Sequence, residues 1–356
     1  MSIAKAAVFH GPGDLRLEAV AKPRCPAGGA LVRLTGSMIC GSDIKIAKGG
    51  HPAIAPPRVL GHEGCGVVEE IDIKAMDGAC PGCAIGARVA IEPNIPCGHC
   101  PNCQRGRFHI CIHSQSLSLH HDGTFAEYLA VPPRALAMGN LIPIGPDISD
   151  EQACLAEPLA CVLNGQEPLA IRPGESVLVV GAGPIGILHA ELALLSGASN
   201  VIVAETSPLR LERAKRFGYT HVVDCGAENL RDAVLAATGG RGADVAVVTA
   251  PAREPMEQAV NMLDFRGRLS LFSSLTKDSP AITIDSRAVH YKELRIFGAS
   301  SSAVRHMKQA IAILRSGRID ASRIVTHRLP LSRLAQSIDL AAGREALKVF
   351  LDHDHA

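Results

Sequence analysis

The hydrophobic pattern of the chain changes character near its midpoint. Over the first 150 residues, short apolar runs such as AAVFH, ALVRLTGSMI and GCGVVEEI are separated by frequent Gly and Pro, which predicts irregular β structure. From about Pro173 onward, strongly apolar runs such as SVLVV and VIVAE alternate with stretches of helical spacing. Such alternation predicts a parallel sheet that is covered by helices on both faces.

The pattern changes again after Gly298. Helices are predicted in AVRHMKQAIAILRSG and LSRLAQSIDLAAG, and the strand-like run LKVFL follows them. Periodicity alone does not decide which of the two preceding regions this tail joins.

Composition sets limits on function. The chain has 356 residues, enough for two domains, and its 36 basic and 35 acidic residues leave a net charge of +1. No general field therefore favours nucleic acid. The apolar stretch at the start is too short for a signal peptide, and Pro184, His189 and Glu191 interrupt the most apolar later segment. We expect a cytoplasmic protein without nucleic-acid or membrane partners, whose twelve cysteines are thiols or metal ligands.

Four cysteines lie close together in the segment CGHCPNCQRGRFHIC. They are Cys97, Cys100, Cys103 and Cys111. Four thiolates within so short a segment can complete a tetrahedral shell around Zn²⁺, which leaves no open position. The segment predicts a structural zinc site, and the alternative of two disulfides would need an oxidising compartment.

A glycine-rich turn links the strand SVLVV to a helical stretch. In GAGPIG, Gly181 allows the turn, Gly183 lets the backbone approach a pyrophosphate, and Gly186 permits close packing of helix on strand. The strand, turn and helix together predict a dinucleotide site, whereas a turn without nucleotide is the alternative. The expected cofactor-binding residues are Gly181, Gly183, Pro184, Ile185 and Gly186.

Glu205 ends the next strand, about twenty residues after the glycine turn. A carboxylate there can accept both ribose hydroxyls of NAD and repel the 2′-phosphate of NADP, so NAD is the predicted cofactor. Glu205 as a solvated strand-end carboxylate is the alternative. Arg210 could soften this discrimination, line the adenine side, or cap a surface helix.

Three further segments carry residues of metal-ligand type: CGSDIK at Cys40, LGHEGCG at His62 and Glu63, and AEPLACV at Glu157. With the cysteine lobe, DGTFAEY, GAGPIG and HYKELRIFG in this order, the chain resembles the zinc-dependent medium-chain alcohol dehydrogenases, within them the sorbitol, butanediol and threonine dehydrogenase branch. The resemblance covers nearly the whole chain and implies an α/β protein with a GroES-like irregular β catalytic domain and a Rossmann doubly wound parallel sheet domain. The implied ranges are 1–152 with the zinc lobe at 93–112, 153–297 for the NAD-binding domain, and 298–356 completing the catalytic domain.

The resemblance also implies a catalytic zinc held by Cys40, His62 and Glu157, with water or the substrate oxygen in the fourth position. An open zinc acts as a Lewis acid on an alcohol, whose hydride passes to the nicotinamide. Glu63 is either a partner behind these ligands or an alternate ligand. NAD, one catalytic zinc and one structural zinc per subunit are therefore expected, and similar enzymes form dimers or tetramers.

Ser42 matches the family position whose hydroxyl bonds the substrate oxygen and passes its proton onward. Lys45 stands where many relatives carry a histidine. A lysine could continue the relay only if burial or the zinc lowered its pKa, and it would otherwise contact the ligand. Asp43 is expected to support a neighbouring zinc ligand, and His51 to be a loop histidine of the substrate pocket.

The predicted function is oxidation of a secondary hydroxyl of a polyol, cyclitol or related alcohol, with threonine-type and simple diol substrates as alternatives. A zinc-free NADPH quinone or enoyl reductase would not need the ligand set. A non-catalytic zinc-ribbon binding protein would need a basic, aromatic surface, which Arg105 and Arg107 alone do not provide. Cys80 and Cys83 form an additional CxxC pair, for which a third metal site or a redox pair is the alternative; we interpret it as a turn with two free thiols.

Overall fold

A computed structural model describes residues 2–72, 80 and 82–353 of the chain. It divides the chain into two compact units. The first unit contains Met1–Ala160 and Ser301–Ala356, and the second contains Cys161–Ser300. The tail, whose place the periodicity left undecided, is thus part of the first unit.

The described residues form eighteen β-strands and twelve α-helices. The strands are β1 (Ile3–Gly11), β2 (Asp14–Ala21), β3 (Ala30–Met38), β4 (Arg58–Val59), β5 (Glu63–Ile71), β6 (Arg88–Ile91), β7 (Asn94–Ile95), β8 (Gln115–Ser116), β9 (Tyr128–Val131), β10 (Leu141–Pro143), β11 (Ser176–Val180), β12 (Asn200–Glu205), β13 (His221–Asp224), β14 (Ala243–Val248), β15 (Leu263–Leu271), β16 (Arg295–Gly298), β17 (Val325–Pro330) and β18 (Lys348–Asp352). The helices are α1 (Gly41–Gly49), α2 (Pro101–Gln104), α3 (Pro133–Ala137), α4 (Asp150–Gln166), α5 (Pro184–Leu195), α6 (Pro208–Lys215), α7 (Leu230–Ala237), α8 (Arg253–Gln258), α9 (Ser286–Tyr291), α10 (Val304–Arg315), α11 (Ala321–Ile324) and α12 (Leu334–Ala342).

A mixed seven-stranded sheet is the centre of the first unit. Its order is β10-β6-β5-β3-β18-β17, and β9 also pairs with β3. Strand β3 is buried along its length except at the half-buried Arg33 and Thr35, as expected for a strand covered on both faces. The tail enters this sheet because β18 pairs antiparallel with β3, with Phe350 opposite Met38. Residues from both ends of the chain therefore meet on adjacent strands.

Helix α4 runs unbroken from Asp150 to Gln166. The predicted domain boundary after residue 152 falls in its first turn, whereas the structure divides the chain at residue 160, inside the helix. The second predicted boundary, after residue 297, similarly lies a few residues before the division at residue 300. The density of Gly and Pro in the sequence shows where the irregular structure ends. It does not show that a continuous helix begins there and crosses the division between the units.

Six parallel strands form the sheet of the second unit. Their order is β13-β12-β11-β14-β15-β16, the doubly wound arrangement in which the first strand lies at the centre and the chain reverses direction beside it. Every residue of β11 is buried, and α5, which follows it, contacts both β11 and β12. The predicted fold class, with irregular β structure and a Rossmann sheet, is confirmed.

Candidate functional site

Four sulfur atoms converge in the lobe after β7. The sulfurs of Cys97, Cys100, Cys103 and Cys111 all lie within 4.8 Å of one another. Cys100 is 3.5 Å from Cys103 and 3.8 Å from Cys111, sulfur to sulfur. Four sulfurs placed 2.3 Å from one zinc ion would stand about 3.8 Å apart. The lobe therefore has the dimensions of a closed tetrahedral zinc shell.

The backbone of this lobe favours thiolates. The N–H of Cys97 donates to the sulfur of Cys111 at 3.2 Å, and the N–H of Cys100 donates to that of Cys97 at 3.3 Å. Backbone donors, first the one at Cys103, lower the pKa of the Cys100 thiol to about 6. Burial and the neighbouring sulfurs raise the pKa of Cys103 instead. Four thiolates here thus require a cation, and this donor set fits zinc.

A second group of possible metal ligands comprises Cys40, His62 and Glu63. One ligand atom of each lies within 4.8 Å of those of the other two. Cys40 follows β3 and directly precedes α1, while His62 and Glu63 stand at the start of β5. Because β3 pairs antiparallel with β5, with Met38 opposite Glu63, residues about twenty positions apart meet. Sulfur, imidazole and carboxylate are donors that suit zinc.

Asp43 connects two members of this group. One of its carboxylate oxygens accepts the backbone N–H of Cys40 at 3.0 Å, and the other is 3.0 Å from Nδ1 of His62. Burial acts to lower the pKa of His62, but Asp43 and Cys40 raise it overall. With Nδ1 engaged, Nε2 is the nitrogen available to a metal. Asp43 therefore fixes the ring of His62 and the backbone of Cys40, two of the possible metal ligands.

Glu157 reaches the same surroundings from helix α4. It is buried, and burial raises its pKa to about 7, with Glu63 adding to the rise and His62 opposing it. In the described residues, the group within 4.8 Å contains Cys40, His62 and Glu63 but not Glu157. A carboxyl with a pKa of about 7 is roughly half protonated near neutral pH, and a nearby cation would favour its ionised form.

Lys348 is a residue of this site that the sequence reasoning missed. Its side chain is buried on β18, and Nζ lies 2.5 Å from Oε1 of Glu63 and also contacts Oε2. Nζ donates in addition to the carbonyl oxygen of Ile39 at 3.1 Å. The only signal in the sequence was a lysine within the apolar run LKVFL. A lysine in an apolar run indicates a buried acidic partner only once the run is known to be an interior strand, as β18 is.

The proposed proton-relay residues lie on α1. The hydroxyl of Ser42 is 3.5 Å from Nε2 of His62, so the structure brings Ser42 to the ligand group. Lys45 is exposed rather than buried. His51 is also exposed, beyond the end of the helix, where its Nδ1 accepts the N–H of Ala53 at 3.2 Å.

The glycine turn between β11 and α5 has two positions that only glycine fits. Gly181 adopts φ +107°, a conformation that L side chains rarely adopt. A Cβ at Gly186 would stand 1.7 Å from the carbonyl oxygen of Gly181. Gly183 differs, since a Cβ there would meet only Arg210, at 3.5 Å or more. Pro184 and Ile185 begin α5, whose first N–H groups form a potential anion site.

Glu205 is fixed against this turn. Its carboxylate accepts the N–H groups of Ala182 at 3.0 Å, Thr206 at 2.8 Å and Ser207 at 3.0 Å. Burial acts to raise the pKa of Glu205, but these donors and Arg210, 3.7 Å away, lower it overall. The side chain is therefore an ionised, immobile acceptor rather than a solvated carboxylate.

A cavity of about 440 Å³ opens beside Glu205. Its lining includes the carboxylates Glu205, Glu228 and Glu254 together with apolar residues such as Leu230 and Pro255. Among the described residues that line it there is no basic side chain. The cavity suits an uncharged aromatic base and opposes an additional phosphate.

The expectation of two free thiols at Cys80 and Cys83 is wrong. The structure joins the two in a disulfide. The N–H of Cys83 donates to the carbonyl of Cys80 at 3.1 Å, so the chain turns and brings the Cα atoms to 5.5 Å, a usual disulfide separation. The other ten cysteines form no disulfide.

Known protein families match residues of both units. An alcohol dehydrogenase GroES-like domain model matches residues 26–140, and a zinc-binding dehydrogenase model matches residues 184–316. The L-threonine 3-dehydrogenase of Idiomarina loihiensis is 30% identical, covering 97% of this chain and 98% of that protein. The erythritol/L-threitol dehydrogenase of Mycolicibacterium smegmatis is 32% identical, covering 98% and 97%.

Two solved structures are similar over nearly their whole length. A zinc-binding dehydrogenase of Sinorhizobium meliloti, bound to NADP, has a TM-score of 0.90 at 29% identity and covers 99% of this chain and 100% of its own. An alcohol dehydrogenase of Escherichia coli CFT073, complexed with NADH, has a TM-score of 0.88 at 28% identity with the same coverage.

Fold and site together define a dehydrogenase with metal-ligand groups and a dinucleotide turn. The chain belongs to the zinc-dependent medium-chain alcohol dehydrogenase family, and the predicted resemblance is confirmed. It is an oxidoreductase of alcohols, so neither the zinc-free reductase nor the zinc-ribbon alternative applies. No helix in the part of the chain that the structure describes has both the length and the apolar character needed to cross a bilayer.

Proposed function

We propose that the protein oxidises a secondary hydroxyl of a polyol, cyclitol or related alcohol with NAD, reversibly. The observation that carries this proposal is the group of Cys40, His62 and Glu63, with the buried Glu157 close enough to interact electrostatically with His62 and Glu63, in the same unit as a separate four-sulfur group. A relative named for erythritol and L-threitol, which are both polyols, supports a hydroxyl-rich substrate. A threonine-type or simple diol substrate is the second candidate, and the identity to the threonine enzyme favours it.

Cys40, His62 and Glu157 are the residues that would hold the catalytic zinc, and the four cysteines of the lobe would hold the structural one. A zinc ion with three protein ligands supplies Lewis acidity toward an alcohol oxygen at its open position. Asp43 fixes the orientation of the His62 ring through Nδ1. Cys40 binds as a thiolate, which metal binding itself favours over the thiol.

Ser42 takes the first proton from the substrate hydroxyl. Its Oγ lies at the edge of the ligand group, 3.5 Å from Nε2 of His62, and its exposed position lets the proton pass to solvent. Lys45 is exposed one turn further along α1, without the burial that would fit a lysine for proton relay. We therefore assign Lys45 to contact with a hydroxyl or phosphate of the ligand.

The second unit binds NAD. The backbone of Gly181 and Gly183 and the first turn of α5, which begins with Pro184 and Ile185, would hold its pyrophosphate. Glu205 would accept the ribose hydroxyls, and its fixed negative charge would repel a 2′-phosphate. Arg210, 3.7 Å from Glu205, moderates this repulsion without removing it. The S. meliloti relative binds NADP, so cofactor preference is a direct test of this assignment.

We infer a homo-oligomer, a dimer or a tetramer, located in the cytoplasm. Strand β16 is an edge of the six-stranded sheet and carries the exposed Ile296, while Phe265 and Tyr291 of the same unit are 71% and 64% exposed. An unpaired edge with apolar neighbours can pair with a second copy of the chain. Ten free thiols, among them every proposed sulfur ligand, support a reducing compartment.

A steady-state screen tests the proposed function. Erythritol, threitol, myo-inositol, L-threonine and 2,3-butanediol would each be tested with NAD and with NADP. The proposal expects turnover of at least one polyol or cyclitol, with a higher kcat/KM for NAD. Equal efficiency with both cofactors would remove Glu205 from its role, and activity confined to threonine would favour the second candidate.

A further inference from the structure

We propose that Lys348 holds the carboxylate of Glu63 away from the catalytic metal, so that Glu157 supplies the third protein ligand and one coordination position stays open for the substrate. Lys348 is in this sense a positioning residue. The inference rests on the proposed zinc site and assigns a role to a side chain that contacts neither substrate nor metal.

The contacts of Lys348 account for all of its donors. An ammonium group has three N–H bonds. Two of them face the two oxygens of Glu63, and the third faces the carbonyl oxygen of Ile39. Ile39 directly precedes Cys40, so the lysine is tied at once to the competing carboxylate and to the backbone beside a ligand.

Glu63 would otherwise compete for the metal. Its carboxylate has an oxygen within 4.8 Å of the ligand atoms of Cys40 and His62, and the residue is fully buried. A buried carboxylate without a cationic partner is strongly unfavourable. Without Lys348, the bound zinc would be the nearest cation. Glu63 and Glu157 would then both bind, and four protein ligands would close the site, as in structural zinc centres.

The fold explains how the lysine is placed. Lys348 is the first residue of β18, paired with Val325 on β17, and β18 pairs on its other side with β3. Strand β3 leads directly to Ile39 and Cys40. The C-terminal tail of the first unit therefore carries the cation that balances Glu63, which gives the incorporation of the tail into this sheet a functional reason.

The first test compares the same substitution at the two buried carboxylates. Release of zinc to the chelator 4-(2-pyridylazo)resorcinol would be measured for the wild type, Glu63→Gln and Glu157→Gln. A lost ligand should speed release from the catalytic site by more than about 100-fold, whereas a lost supporting partner should cost about tenfold or less. The proposal expects the large effect for Glu157→Gln only. A large effect for Glu63→Gln, or none for Glu157→Gln, overturns it.

The second test addresses Lys348 itself. In protein whose catalytic zinc is replaced by Co²⁺, visible absorption reports whether an added ligand, imidazole, enters the open position. Wild type and Lys348→Arg should respond, Lys348→Met should not because Glu63 fills that position, and the double variant K348M/E63Q should respond again. A wild-type response in K348M overturns the proposal.

The two tests separate the possible failures. If K348M does not fold, the comparison of Glu63→Gln with Glu157→Gln still decides which carboxylate is the ligand. A wild-type chain that holds only one zinc contradicts the proposed metal site and the inference with it. Two zinc ions per chain together with a responsive K348M contradict the role of Lys348 alone.

Discussion

Asp43 and His62 are joined at 3.0 Å between a carboxylate oxygen and Nδ1, and the same carboxylate accepts the N–H of Cys40 at 3.0 Å. Asp43 is 1% exposed, so water does not compete for either contact. One buried side chain thus sets the orientation of an imidazole and the backbone position of a thiol. The geometry of the proposed metal site depends on this arrangement before any metal binds.

Replacing Asp43 by Asn should weaken metal binding. Asn keeps the size of the side chain but presents an N–H₂ group to one of its two partners and removes the charge. We expect release of the catalytic zinc to be about 10 to 100 times faster, measured with a chelator. Asp14→Asn, at a carboxylate that is paired with Arg16 on the surface, should leave the rate unchanged. Equal rates for Asp43→Asn and the wild type would contradict the role of Asp43.

Cys103→Ser should remove the structural zinc and lower stability without removing the catalytic zinc. A hydroxyl replaces one of four sulfur donors in a lobe that requires a cation. We expect zinc content to fall from two ions per chain to one, with a melting temperature lower by about 2 to 4 °C per kcal/mol lost. Cys25→Ser, at a free thiol outside both groups, should retain two ions. Two ions in Cys103→Ser would contradict a four-sulfur site.

Local motifs made much of this molecule predictable. The four cysteines lie within one short segment, and the glycine turn lies between an apolar strand and a helix, so each motif carries its own structural context. Ser42 followed from resemblance to the family, because the hydroxyl has no motif of its own. The structure brings it within 3.5 Å of His62.

Long-range pairing accounts for what the sequence did not predict. Lys348 and Glu63 are 285 positions apart, and they meet only because β18 and β5 both pair with β3. No local sequence pattern predicts that Lys348 lies next to Glu63. The disulfide between Cys80 and Cys83 was not preferred for another reason, because the same CxxC spacing suits a redox pair, two free thiols and metal ligands alike.

Two glycines of the same turn should respond differently to alanine. Gly186→Ala places a methyl group against the Gly181 carbonyl, so we expect a loss of about 1–3 kcal/mol in the free energy of unfolding. Gly183→Ala meets no close protein atom and should keep its stability. It should nevertheless raise the Kd for NAD, because the methyl group stands where backbone meets pyrophosphate. Denaturant unfolding measures the stability of each variant, and titration with NAD measures its Kd. Unchanged NAD binding in Gly183→Ala would contradict the proposed placement of the phosphates.

His189 should make the second unit sensitive to acid. Burial lowers its pKa to about 3 from the ordinary 6.5, so the folded chain keeps this ring neutral. Between these values the unfolded chain binds a proton that the folded chain does not. Stability is therefore fully present above pH 6.5 and falls by about 1.4 kcal/mol per pH unit as the pH decreases through this window.

His189→Leu should reduce that slope. Leucine cannot bind the proton in either state, and Gln166 keeps its hydrogen bond to the carbonyl of residue 189. Denaturant unfolding between pH 6.5 and pH 4.5 would be followed for both proteins. The wild type should lose more stability than the variant over this range, and parallel curves would show that His189 does not stay neutral in the folded state.

One chain is expected to hold two zinc ions, of which only the one bound through Cys40 supports turnover. Zinc content and NAD-dependent alcohol oxidation of Cys40→Ser, measured on the same sample and compared with the wild type, test it most directly. We predict two ions and turnover for the wild type, and one ion, no turnover and a largely intact fold for the variant. Two ions and retained turnover in Cys40→Ser would show that Cys40 neither holds a zinc ion nor is needed for the reaction.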